Sequence, residues 1–96
     1  MHSKEAILQL IHEHKDEMKL RFTVRRVGLF GSYSRDAARI DSDIDILVEL
    51  NDPTFDHYME LKFYLEDLLG TTIDLILADD LKPRLLPYVE QDVIYA

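Results

Sequence analysis

The eight residues from Asp43 to Leu50, DIDILVEL, alternate acid and aliphatic and then become apolar, the pattern of a β-strand with one face largely buried. A strand written this way needs neighbouring strands and a hydrophobic cover. Arg25 to Phe30, RRVGLF, reads as a short strand stopped by Gly31, and Thr71 to Leu77, TTIDLIL, as a third. Ser3 can N-cap a helix in which Ile7, Leu10, Ile11, His14 and Met18 recur at helical spacing until the pattern fades near Leu20. Tyr58, Leu61, Leu65 and Leu68 mark a second, amphipathic helix, which Gly70 closes as a C-cap. Asp79 and Asp80 read as helix caps, Pro83 and Pro87 open one or two short helices, and VIYA at 93–96 reads as a final short strand. The order predicts an α/β (α+β) domain, with helices packed on a small sheet.

The chain has 96 residues, no internal repeat and no Pro/Gly-rich linker. A second core would need roughly 50 more residues, so residues 1–96 are read as one domain. No window approaches the ~20 apolar residues of a membrane span, and the start, MHSKEAIL, lacks a signal peptide's apolar stretch. With no cysteine there is no disulfide, no thiolate chemistry and no cysteine-held zinc, and a cytoplasmic protein is the expectation. The net charge of −8 is unevenly spread. Residues 1–40 carry +3, residues 41–80 carry −11, and the last sixteen are neutral. Such a balance argues against direct binding to nucleic acid, which needs a basic face to displace counterions. The acidic middle is either a solvated surface or a place to bind cations.

Position favours cations. Residues i and i+2 of a strand share a face, so the carboxylates of Asp43 and Asp45 are neighbours. Two such groups repel unless a cation is shared between them, and an oxygen-only site suits Mg²⁺ or Mn²⁺. Upstream, with ten residues intervening before Asp43, Gly31-Ser32 directly follows a strand. Gly31 permits close backbone approach, and the N–H groups of a turn starting at Ser32, with its hydroxyl, would hold an anion. Arg35 lies near enough to add positive charge to a phosphate or an aspartate. Asp74 sits among Ile73, Leu75, Ile76 and Leu77, where an unpaired carboxylate would cost several kcal/mol. It belongs on an open face near a metal, or with a basic partner. Gly31-Ser32 alone would read as a plain turn, and Asp43/Asp45 alone would fit a solvent-facing strand edge as well as a metal site. Their joint order and spacing suggests phosphate on one side and metal-bearing carboxylates on the other, a nucleoside triphosphate site. Glu49 shares the parity of Asp43 and Asp45 but lies farther along and reads as surface or partner-facing.

Other motifs fail on their own terms. DSDID begins like an EF-hand loop, but the sixth position is Ile46 and the twelfth Asp52, where Gly and Glu are needed. The three glycines, Gly28, Gly31 and Gly70, make neither a Walker A loop nor G-x-G-x-x-G. Ser32 lacks a nucleophile elbow, and His12 and His14 cannot share one helix face.

The stretch Gly31 to Asp45, GSYSRDAARIDSDID, resembles the G-S-x₁₀-D-x-D signature of the DNA-polymerase-β-like nucleotidyltransferase superfamily. GLFGS, SDIDILVE, IDLIL and the tail LKPRLLPYVEQDVIYA are similar to its minimal nucleotidyltransferases (MNT domain proteins), so the resemblance covers nearly the whole chain. It implies a polymerase-β-like core with a small mixed sheet. It also implies an enzyme that transfers AMP from ATP to a hydroxyl, with Asp43 and Asp45 holding two Mg²⁺ ions and Asp74 completing an acid triad. Gly31 and Ser32 would bind phosphate, with Arg35 as a phosphate contact or motif stabiliser. Members also act as antitoxins of HEPN-type ribonuclease toxins, binding them and adding AMP to a toxin tyrosine, so a hetero-oligomer with such a toxin is implied. The alternatives are a binding-only antitoxin with an idle site, and a small-molecule nucleotidyltransferase of the aminoglycoside type.

Overall fold

Ile44, Ile46, Val48 and Leu50 occupy alternate positions of one strand and are at most 5 % exposed, which commits that face to a helical cover. The computed structural model describes residues 3–31, 33–35 and 43–96. Its elements are α1 (Lys4–Glu13), α2 (Lys15–Phe22), β1 (Val24–Phe30), β2 (Ile44–Leu50), α3 (Phe55–Leu69) and β3 (Ile73–Leu77). A 3₁₀ turn (Ala78–Asp80), α4 (Leu86–Asp92) and β4 (Ile94–Tyr95) complete the order. The sheet runs β3-β2-β1-β4, with β2 and β3 parallel and the other two pairs antiparallel. This is the mixed sheet with packed helices that the sequence predicts. The core lies between its helical face and the first three helices, with Ile7, Ile11, Met18, Phe22, Leu61, Leu65 and Leu69 meeting the even-numbered residues of β2.

Local sequence explains the ends of the elements. The Ser3 hydroxyl accepts from the Ala6 N–H at 3.0 Å, and the Thr54 hydroxyl from the His57 N–H at 3.1 Å, each capping a helix. The expected single N-terminal helix is broken at His14, whose φ/ψ of −109°/9° leaves the helical range while its Nδ1 meets the Leu10 carbonyl oxygen at 2.8 Å. The second piece reaches Phe22, so the core gains Met18 and Phe22 from a separate helix. Asp79 and Asp80 form the 3₁₀ turn itself and cap nothing through their side chains. His57, expected on a helix surface, is half-buried, its Nδ1 2.8 Å from the Asp52 carbonyl oxygen.

Both faces of β2 are used. Leu47, on the face away from the first three helices, is 1 % exposed. On that side the C-terminal segment presses onto β1. A Cβ at Gly28 would stand 2.6 Å from Val93 Cγ1 and 3.1 Å from the Ile94 carbonyl oxygen, so β4 can pair there only with a glycine. The guanidinium of Arg26 stacks 4.1 Å over the Tyr95 ring and reaches Glu90 at 3.9 Å.

The β1–β2 register slips between Val24 and Arg26, which leaves Arg25 as the extra residue of a β-bulge. Two successive arginines are therefore exposed between buried Val24 and Val27, and both grip Glu49: Arg25 Nη2 at 2.8 Å and Arg26 through Nε. Glu49, read from the sequence as surface or partner-facing, is partly buried and its carboxylate is taken up by two arginines of the same chain. Burial pushes its carboxyl up, but the hydrogen bonds and charges of Arg25 and Arg26 outweigh this and hold it below the ordinary carboxylate value. A depressed carboxylate stabilises the fold above its ordinary pKa and loses that contribution as pH falls through the folded-state value. Glu49→Gln should therefore cost about 1 kcal/mol at neutral pH in urea denaturation, given how exposed both arginines are. The difference from the unsubstituted protein should fade below about pH 4. A difference constant with pH would refute the ion-pair account.

Candidate active site

The strand pairing that builds the sheet also assembles an acidic site at one end of it. In the parallel β2–β3 ladder Asp45 stands opposite Asp74, and in the antiparallel β1–β2 ladder it stands opposite Phe30, one residue before Gly31. Paired strands lie ~4.8 Å apart, so the two carboxylates meet side by side. Of the neighbouring charges, that of Asp74 acts most strongly on Asp45.

Gly31 is required by this arrangement twice over. Its φ is +76°, which side-chain-bearing residues rarely adopt, and a Cβ there would fall 2.2 Å from Asp45 Oδ2. The Gly31 carbonyl accepts from the Ser34 hydroxyl at 2.9 Å and from the Arg35 N–H at 3.3 Å, closing a turn directly over the carboxylate. Arg35 is bound at 2.7 Å to Asp92, the last residue of α4. Among the sequence-predicted residues, the structure thus brings Gly31, Asp45, Asp74 and Arg35 together, with Asp43 exposed just before β2. Ser32 lies outside the described residues, as does the segment 36–42 of the predicted turn. Sequence reasoning missed Asp92. It is 57 residues from Arg35 and carries no local signal.

Electrostatics single out Asp45. Burial raises its carboxyl above the ordinary value, the Asp74 and Asp43 charges raise it further, and Arg35 opposes them. A carboxyl raised by neighbouring carboxylates is a group that gains from an added cation. The donors are hard oxygen atoms, which suits a divalent ion such as Mg²⁺ or Mn²⁺. Among the described residues no three acidic or histidine side chains close into a ready-made metal cage. The arrangement is a side-by-side pair, Asp45 and Asp74, to which Asp43 contributes charge.

The geometry agrees with what the chain is similar to. Residues 11–96 match the nucleotidyltransferase domain family. A relative from Thermococcus cleftensis, the protein adenylyltransferase MntA, is 42 % identical over 92 residues, covering 95 % of this chain and 93 % of that protein. A solved structure described as that of a minimal nucleotidyltransferase is 35 % identical with a TM-score of 0.82, covering 97 % of this chain and 95 % of that one. A chain of a toxin–antitoxin crystal structure with AMP-PNP is 25 % identical with a TM-score of 0.68, covering 96 % of this chain and 70 % of its own. The matched stretch contains Gly31, Asp43, Asp45 and Asp74, and the chain belongs to the nucleotidyltransferase domain family, as one of its minimal nucleotidyltransferases and an enzyme of that class.

Proposed function

We propose that the protein transfers AMP from ATP to a tyrosine hydroxyl of a cognate HEPN-type ribonuclease toxin, and that it acts as that toxin's antitoxin. The observation that carries this reading is the Asp45–Asp74 pair under the Gly31 turn, which would set a cation on the carboxylates against a phosphate on the turn. Two likenesses support it, one to a relative named as a protein adenylyltransferase and one to a toxin–antitoxin structure with AMP-PNP.

In this reading Asp43, Asp45 and Asp74 would hold two divalent ions, Mg²⁺ by preference. When bound, such ions supply charge neutralisation of the triphosphate and stabilise the pyrophosphate that leaves. The backbone at Gly31, with Ser32, receives the phosphates, and Arg35, steadied by Asp92, adds a cation beside them. The tyrosine oxygen bonds to the α-phosphorus as the bond to the bridging oxygen of the β-phosphate breaks. Asp74, exposed beside Asp45, accepts the hydroxyl proton. The more buried Asp45 keeps its place under Gly31 and anchors the group.

Two experiments check this. The protein incubated with α-labelled ATP, Mg²⁺ and its HEPN-type partner should label a partner tyrosine. Asp43→Ala or Asp45→Ala should lower that labelling at least about 100-fold. Neutralisation that persists without any label would assign the effect to binding alone, and label on an aminoglycoside but on no protein would assign a small-molecule acceptor. The second reads stability. A raised carboxyl costs folding free energy above its folded-state pKa, and this cost disappears as pH falls to the ordinary carboxylate range. Asp45→Asn should therefore raise the melting temperature at pH 7. Added Mg²⁺ should then raise the melting temperature of the unsubstituted protein and leave the variant unmoved. A variant less stable at pH 7, or equally responsive to Mg²⁺, would refute the assignment.

A further inference from the structure

The opposite end of the sheet holds a second charged feature, which nucleotide transfer does not use. A cavity of about 360 Å³ opens between α2 and the start of β1, lined among others by Lys15, Lys19, Arg25 and Arg26 against the single acid Asp16. Lys15 and Lys19 are four apart and share a helix face. Neither makes a hydrogen bond or ion pair among the described residues, and Lys15 is half-buried. Even with Glu49 set against the two arginines, the wall keeps a net positive charge in a protein of net charge −8.

The same wall is an incomplete sheet edge. β4 pairs with β1 only at Gly28 and Leu29, extended by one bond from the Ala96 N–H to the Val27 carbonyl oxygen. From Val24 to Arg26 that side of β1 has no strand partner among the described residues, and the bulge leaves Arg25 out of register with β2 as well. Unpaired backbone donors and acceptors beside a row of cations match one class of ligand in both respects: an extended polypeptide carrying carboxylates.

We propose that this groove binds an extended acidic segment of a partner protein, laid along the open edge of β1 with its carboxylates on Lys15, Lys19 and Arg25. Nucleic acid fits less well. Among the described residues no aromatic ring lines the groove for base stacking, and the net charge repels a long polyanion while a segment with a few carboxylates meets only the local field. Charged residues also guard sheet edges against stray strands. Here, however, the two lysines rise from a helix and line a cavity beside the edge. Val24 is six residues from Phe30, about 20 Å along the strand, so a segment docked there leaves Gly31, Asp45 and Asp74 open. The inference stands on the groove alone and holds or fails independently of the AMP-transfer reading.

The test is fluorescence anisotropy with an eight-residue peptide alternating Glu and Val. Its Lys-for-Glu counterpart, a backbone N-methylated version and an eight-nucleotide single-stranded RNA serve as comparisons. The acidic peptide should bind best and weaken with salt, the N-methylated version should bind several-fold more weakly, and the Val24–Val27 amides should gain hydrogen-exchange protection when it binds. Lys15→Glu/Lys19→Glu should weaken binding by about tenfold or more with nucleotide transfer unchanged. Lys15→Gln/Lys19→Gln gives the same reading in smaller measure should the charge reversal fail to fold. Acidic and basic peptides bound alike, tighter binding of the RNA, or an affinity that the lysine variants leave unmoved would each overturn the proposal.

Discussion

The parallel pairing of β2 with β3 in the register that sets Asp45 against Asp74 is the constraint on which the rest of the site depends. Two carboxylates side by side are unfavourable, and the protein tolerates them because the large apolar core on the other face of the same strands determines the register. Ile44 opposite Ile73, Ile46 opposite Leu75 and Val48 opposite Leu77 fill that core. A slip of one residue would send these side chains to the wrong face, a loss far larger than the repulsion between two acids. Hydrophobic packing on one face thus enforces an electrostatic conflict on the other, one that an added cation would relieve.

The glycines answer to the same geometry. Gly31 leaves room for the Asp45 carboxylate and turns the chain over it, while Gly28 leaves room for the C-terminal segment that closes the sheet's second face. That segment ends α4 with Asp92, which holds Arg35 beside the acidic pair. One sheet therefore supports the carboxylates, the turn above them and a positioned cation.

Much of this was legible in the chain itself, because it is written locally. The i, i+2 spacing of Asp43 and Asp45, the strand that ends in Gly31 and the caps at Ser3 and Gly70 all depend on a few adjacent residues. The helix break at His14 was not legible, since the apolar spacing from Ile7 to Met18 runs through it without interruption. The doublet Arg25-Arg26 between two valines does break strand alternation, and that was a readable sign of the bulge that sets both arginines on Glu49. The adjacency of Asp74 to Asp45 was open in the sequence, because a parallel pair joined through a fifteen-residue helix leaves no local trace of its register. The Arg35–Asp92 pair was hidden for the same reason of distance.

The central claim is that the Asp45–Asp74 pair is where this acidic chain takes up a divalent cation. Paramagnetic broadening by substoichiometric Mn²⁺ in an amide ¹H–¹⁵N spectrum measures this directly. Broadening should centre on Asp43 to Asp45, Asp74 and Gly31, and should be lost in Asp45→Asn. Broadening that instead centred on the other acids of the middle segment, such as Asp52, Asp56 or Asp79 and Asp80, would contradict it.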